Sequence, residues 1–149
     1  MDHEGDVRVR VGGIIISNGE VLLIAHKKEN DIYWLLPGGG VDYGESLSEA
    51  LMREFAEELN IEITVNDLAL ISDSIAPMGE RHIINIFFLC EYSKGDFMLG
   101  DEIRLHDFKF FKREEISNIK LFPPINDELI SIMDSGAKMK YIGKLWKEG

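Results

Sequence analysis

Val7, Val9 and Val11 alternate with Arg8 and Arg10 ahead of an apolar stretch, Ile14 to Ile16, and a period of two is that of a β-strand. Asn18-Gly19 follows, then a second apolar run from Val21 to Ala25. Together they predict a β-hairpin, because Asn and Gly accept the positive φ angles of a tight turn. Tyr33 to Leu36 predict a short strand ended by Pro37 and the glycines Gly38, Gly39 and Gly40. The period then changes. Leu47, Leu51, Phe55 and Leu59 recur at every fourth position, Ser46 and Glu49 have capping-box spacing, and Asn60 stands where a left-handed C-terminal cap belongs. This predicts an amphipathic helix of about four turns. Residues 61–65, 68–71, 83–92 and 105–111 predict further strands, and Pro123-Pro124 opens a final helix over 126–134, with Gly136 placed to end it.

Hairpin, strand, helix, several strands and helix make a mixed α/β fold, with no linker or internal repeat to divide residues 1–149 into more than one domain. The tail from Lys138 interleaves lysines with Tyr141, Ile142, Leu145 and Trp146. It reads either as a docking arm, as in a homodimer, or as a terminal segment packed on its own domain.

Composition narrows the function classes. A content of 45% hydrophobic and 29% charged residues in 16.9 kDa suits one globular core. The net charge of −11 disfavours a duplex nucleic-acid partner but leaves room for small phosphorylated substrates that arrive with a cation. Cys90 is the sole cysteine and sits in an apolar run, so an inert buried thiol and a reducing cytoplasm are expected. Met1 to Glu4 have no signal-peptide character, and no apolar run reaches the roughly 18 residues of a membrane span.

Each helical residue advances about 100°, which groups Glu54, Glu57 and Glu58 on one face beside the apolar stripe. Like charges at these spacings oppose the helix by roughly 0.2–0.5 kcal/mol per pair, and Arg53 alone cannot neutralise three carboxylates. Such a face is either solvated surface or a site for a hard divalent cation, Mg2+ or Mn2+.

The neighbouring residues favour the cation. From Gly39 the chain runs five residues to Glu45, seven more to Arg53-Glu54-Phe55, then Glu57-Glu58 and Asn60-Ile61. With each residue type near ~7% of usage, a chance match to six fixed positions is on the order of 10⁻⁷ at a given start. This segment resembles the box of the Nudix hydrolase family, departing from it at Phe55, where an aliphatic residue is usual, and at Asn60, where the family closes with glycine. Asn tolerates the left-handed conformation, so the turn should survive.

The resemblance implies an α/β/α sandwich with a mixed sheet and metal-dependent hydrolysis of nucleoside diphosphates linked to another moiety. It implies that Glu54, Glu57 and Glu58 bind the metal, with Glu54 or Glu58 activating water. Arg53 would orient a carboxylate and Glu45 would be structural, while a backbone carbonyl of Gly38 or Gly39 completes the metal shell. A further ligand is expected from the loop holding Asp101 and Glu102, with Glu102 favoured.

Two segments outside the box resemble MutT-type nucleoside triphosphate pyrophosphohydrolases: Arg81-His82-Ile83, and Phe122-Pro123-Pro124-Ile125-Asn126. By that resemblance Arg81, His82 and Asn126 bind substrate, Asn126 reading the base of a purine triphosphate, with an oxidised purine among the candidates. His26, which takes the place of an arginine of that group, is also expected to bind substrate. The other enzymatic reading is an ADP-ribose or nucleoside diphosphate sugar pyrophosphatase, which Pro77 suits. A non-catalytic nucleotide-binding module is the alternative of a different class, and the retained box glutamates speak against it.

Overall fold

In a computed structural model, which describes residues 5–136 and 139–142, the chain runs β1 (Val7–Ile14), β2 (Ile16–Ser17), β3 (Glu20–Lys28), β4 (Asp31–Leu35), β5 (Gly38–Gly40) and α1 (Leu47–Leu59). It continues β6 (Glu62–Ile75), β7 (His82–Lys94), β8 (Leu105–Lys112), α2 (Arg113–Ile116), α3 (Asn126–Ser135) and β9 (Lys140–Ile142). One sheet has the order β5-β1-β7-β6-β9, and its β1–β7 and β6–β9 pairs are parallel while the others are antiparallel. In the second, β3 pairs with β2 and β4 along one edge and with β8 along the other.

The sheets lie between two helical layers. Leu22, Ile24 and Leu35 pack with Leu51, Phe55 and Leu59 of α1, whereas Val21, Leu23 and Phe111 pack with Ile116 of α2 and Leu129 and Ile132 of α3. Alternate residues of β3 thus serve opposite helices, as the two-residue period requires. The mixed sheet and α/β/α sandwich are as the sequence implied.

The predicted hairpin is smaller than its pattern suggests. Asn18 and Gly19 have φ of 53° and 77°, as a tight turn needs, but only Ile16-Ser17 pair across it with Val21 and Glu20. β1 belongs to the other sheet, where its partners are β5 and β7, so the chain changes sheets between Ile14 and Ile16. The strands expected at 61–65 and 68–71 are one strand, β6, kept continuous by register shifts at residues 65–70. The glycines expected only to end a strand form β5, against β1.

Helix α1 begins and ends as its sequence predicts. Ser46 Oγ accepts from Glu49 N at 3.1 Å while Ser46 N donates to Glu49 Oε1 at 2.8 Å, and Asn60 adopts φ 59°, ψ 31°. Of the tail, Lys140–Ile142 add a parallel edge strand to β6, and the docking-arm reading of residues 138 and 143–149 lies outside the described residues. Among the described residues no helix is long and apolar enough to cross a membrane. Cys90 is buried, and burial pushes its thiol up to about 12.

Candidate active site

Glycine permits the close approach of β5 to the acidic face of α1. A Cβ on Gly39 would stand 2.5 Å from the Glu54 carboxylate, and one on Gly38 would overlap the carbonyl oxygen of Val11. At this distance the Gly38 amide donates to Glu58 Oε1 at 2.9 Å, a bond between residues 20 apart in sequence. Glu58 is only 4% exposed.

Arg53 ties the same face to the loop before the helix. Its Nε and Nη2 donate to both oxygens of Glu45, at 2.7 and 2.9 Å, and Nη2 also reaches Gly40 O at 3.0 Å. This fork, with a further bond from Asp42 N at 2.9 Å, holds the Glu45 carboxyl down to about 2. Both Glu45 oxygens are thus committed within the loop and helix, and Arg53 spends Nη1 on Glu54 Oε1 at 2.9 Å, with Glu57 more distant at 3.4 Å.

Electrostatically the face is short of positive charge. Burial, and then the charge of Glu54, push the Glu58 pKa well above the usual carboxylate value, against the opposing Gly38 bond. Burial also raises Glu54, opposed by Arg53.

A loop adds a fourth carboxylate. Met98 N and Gly100 N donate to Leu59 O and Glu58 O, each at 3.0 Å, and Asn60 Nδ2 donates to Asp96 O at 3.1 Å. The seam is close enough that a Cβ on Gly100 would collide with Glu57 O. Pinned this way, Glu102 comes to the acidic face, where it lines one cleft with Glu54, Glu57, Glu58 and Asp101. One ligand atom each from Glu58, Glu102 and His26 lie within 4.8 Å of one another. Among the described residues, His26 Nε2 is the buried side-chain polar atom that has no hydrogen-bond partner, and burial lowers the His26 pKa. Oxygen donors in excess, an orphaned nitrogen and too little positive charge fit a divalent cation.

The cleft adjoins a cavity of about 1610 Å³ that shares Glu102 with it. Arg8, Arg10, Arg81 and Arg104 line this cavity together with His26, Tyr33, Pro77 and Phe122. In the sequence Arg10 is only the polar phase of the β1 alternation, and its position at the cavity emerges from the fold. It stands between Gly40 of β5 and Asn85 of β7, where burial lowers its pKa and the charges of Glu58 and Glu54 oppose that. Nothing in β1 itself signals this, since a strand's period distinguishes its faces but not what lies over them.

Arg81 and His26 are thus at the cavity, and two other expected substrate residues are engaged elsewhere. His82 Nε2 lies 3.2 Å from Asp73 Oδ1. Asn126 Nδ2 donates to Ile116 O at 2.8 Å and to Ile119 O at 3.1 Å, and neither His82 nor Asn126 is among the residues lining the cavity. Asn126 instead braces the segment whose Ser117, Asn118, Ile119 and Lys120 form part of the cavity wall.

Residues 6–131 match the model of the NUDIX domain family. An ADP-ribose pyrophosphatase of Methanocaldococcus jannaschii is 33% identical over 103 residues, which are 67% of this chain and 60% of that protein, so the match spans less than two thirds of the relative. A nucleoside triphosphatase NudI of Salmonella agona is 30% identical over 122 residues, covering 74% of this chain and 85% of that protein. A NUDIX hydrolase structure from Nitrosomonas europaea superposes with a TM-score of 0.79 at 19% identity, over 90% of this chain and 93% of that one, a likeness of fold.

Proposed function

The chain belongs to the NUDIX domain family, and on that premise we propose that it hydrolyses a pyrophosphate bond in a small nucleotide, using a divalent cation held by Glu54, Glu57, Glu58 and Glu102. One observation carries this reading: the acidic cleft of α1 opens beside a cavity lined by four arginines. A diphosphate needs both, arginines for its outer oxygens and a carboxylate-held cation at the bond to be broken.

When bound, the cation supplies Lewis-acid polarisation of the phosphoryl group. The protein's own residues supply placement and proton transfer. Glu54 and Glu58 each commit Oε1, to Arg53 and to the Gly38 amide, which fixes both carboxylates before substrate arrives. Glu54 is the better-placed proton acceptor for the attacking water, since its side chain is 16% exposed whereas Glu58 is buried. Arg10, close enough to feel both carboxylates, is placed to hold the phosphate next to the cleft.

Among nucleotides, the geometry favours a nucleoside diphosphate linked to a second moiety. Asn126, the expected reader of a purine, has both amide hydrogens bound to backbone carbonyls. Pro77, the residue that suits this reading in the sequence, lines the cavity. The second reading, a nucleoside triphosphate substrate, is supported by the NudI relative. Product analysis decides between them: ADP-ribose cleaved to AMP and ribose phosphate supports the first, and a triphosphate cleaved to monophosphate and pyrophosphate the second. No cleavage of any nucleotide in a broad panel with Mg2+ or Mn2+ would overturn both.

A further inference from the structure

We propose that His26 is a nitrogen ligand to the divalent cation at Glu58 and Glu102, making that position a mixed nitrogen and oxygen site rather than an all-carboxylate one. The inference rests on the proposed cation at the α1 carboxylates and assigns to His26 a role other than binding substrate.

His26 is 9% exposed, and its Nε2 is fully shielded and unpartnered. A buried polar atom without a partner is destabilising, so its retention calls for a partner that the polypeptide does not supply. The backbone aims the ring. Leu22 and Ile24 of β3 face α1, and by strand alternation His26 continues that face to the level of Glu58. At His26 the β8 register shifts: Ala25 pairs with Asp107 but His26 with Leu105, and Lys27 N donates to Arg104 O at 2.8 Å. That irregularity turns β8 into the loop that carries Glu102, so the feature that sets His26 at the strand end also delivers the carboxylate beside it. Tyr33, paired with His26 across β4, packs edge-on at 5.7 Å between centroids and fixes the ring plane.

Adjacent ligands of a six-coordinate ion with bonds of about 2.1 Å lie roughly 3 Å apart, and opposite ligands about 4.2 Å. Three donor atoms within 4.8 Å need only a small contraction to share one ion. An imidazole with two carboxylates suits Mn2+ or Co2+ better than Mg2+, which prefers oxygen alone.

The test is pulsed electron paramagnetic resonance of Mn2+ added to the substrate-free protein. A ¹⁴N coupling from a directly bound imidazole is expected in the parent and absent from His26→Gln. The variant should still bind Mn2+ through its glutamates with affinity lowered by ~10-fold or more. Thermal melting confirms that the variant is folded, and Glu102→Gln provides an independent probe, weakening Mn2+ binding while keeping the coupling. Mn2+ bound to the parent without ¹⁴N coupling overturns the proposal, as does a coupling that persists in His26→Gln. Both results leave the hydrolase reading intact. The expected coupling in a protein that cleaves no nucleotide would sustain the ligand assignment and sink the hydrolase reading.

Discussion

The amide of Gly38 and the carboxylate of Glu58 are hydrogen-bonded at 2.9 Å, and this bond fixes the glycine strand β5 against the acidic face of α1. Both halves of the cleft depend on that contact, because the close approach it requires also brings Gly39 onto the Glu54 carboxylate. Gly39→Ala should therefore act on Glu54 more than on the fold. The added methyl meets the movable end of a side chain, so the melting temperature should change by no more than a few degrees while turnover falls by ~10-fold or more. Steady-state kinetics beside a melting curve checks this, and unchanged turnover would separate Glu54 from the chemistry.

Removing the buried charge of Glu58 should stabilise the metal-free protein at neutral pH. A carboxyl whose folded pKa is raised above 4.5 contributes stability that is complete below that value and lost as pH rises through the folded pKa. Glu58→Gln keeps an oxygen for the Gly38 amide and carries no such loss. In excess chelator the variant should melt at or below the parent near pH 4.5 and at least ~2 °C above it at about pH 7.5, a gap that Mg2+ closes by stabilising the parent. A gap independent of pH between these limits would show that the Glu58 charge is not strained in the metal-free state.

Asn126→Ala should lower stability without changing base preference. The two carbonyls it serves, of Ile116 and Ile119, would lose their donor, at a cost of about 1–3 kcal/mol. kcat/KM for purine and pyrimidine nucleotides should fall together, if at all. Selective loss on purines would return Asn126 to the base-reading role that its sequence context suggested.

Asn60 does two things that the family's usual glycine cannot do together. It takes the left-handed cap, and its Nδ2 ties Asp96 O in the loop leading to Glu102. Asn60→Gly keeps the cap and loses the tie, so it should stay within roughly 1 kcal/mol of the parent, whereas Asn60→Val should be worse because a β-branched residue is strained at positive φ. Equal melting temperatures for all three proteins would contradict the cap.

What could be read from the sequence was chiefly what is local. The Ser46–Glu49 box, the Leu47-to-Leu59 stripe and the Asn60 cap are set by neighbours within a few residues, and all appear as predicted. Strand pairing is not local. The apolar runs flanking Asn18-Gly19 look like one hairpin, yet β1 finds its partners in β7, more than seventy residues on, and in β5. The site divides the same way. Glu54, Glu57 and Glu58 share a helix face by spacing alone, while the nearness of Arg10 and His26 to them depends on the sheet register and on the Glu102 loop. The unpartnered state of His26 Nε2 is a property of packing that no spacing encodes.

On the function proposed, the α1 carboxylates hold a divalent cation without which no pyrophosphate bond is cut. The most direct measurement is the rate of nucleotide cleavage by the parent and by Glu58→Gln, each in excess chelator and after Mg2+ is restored. The parent should be inactive in chelator and recover with Mg2+, and Glu58→Gln should remain at least ~10²-fold slower in Mg2+ despite an intact fold. Full activity of the parent in chelator, or a variant within threefold of it in Mg2+, would show that cleavage does not depend on a cation held by Glu58.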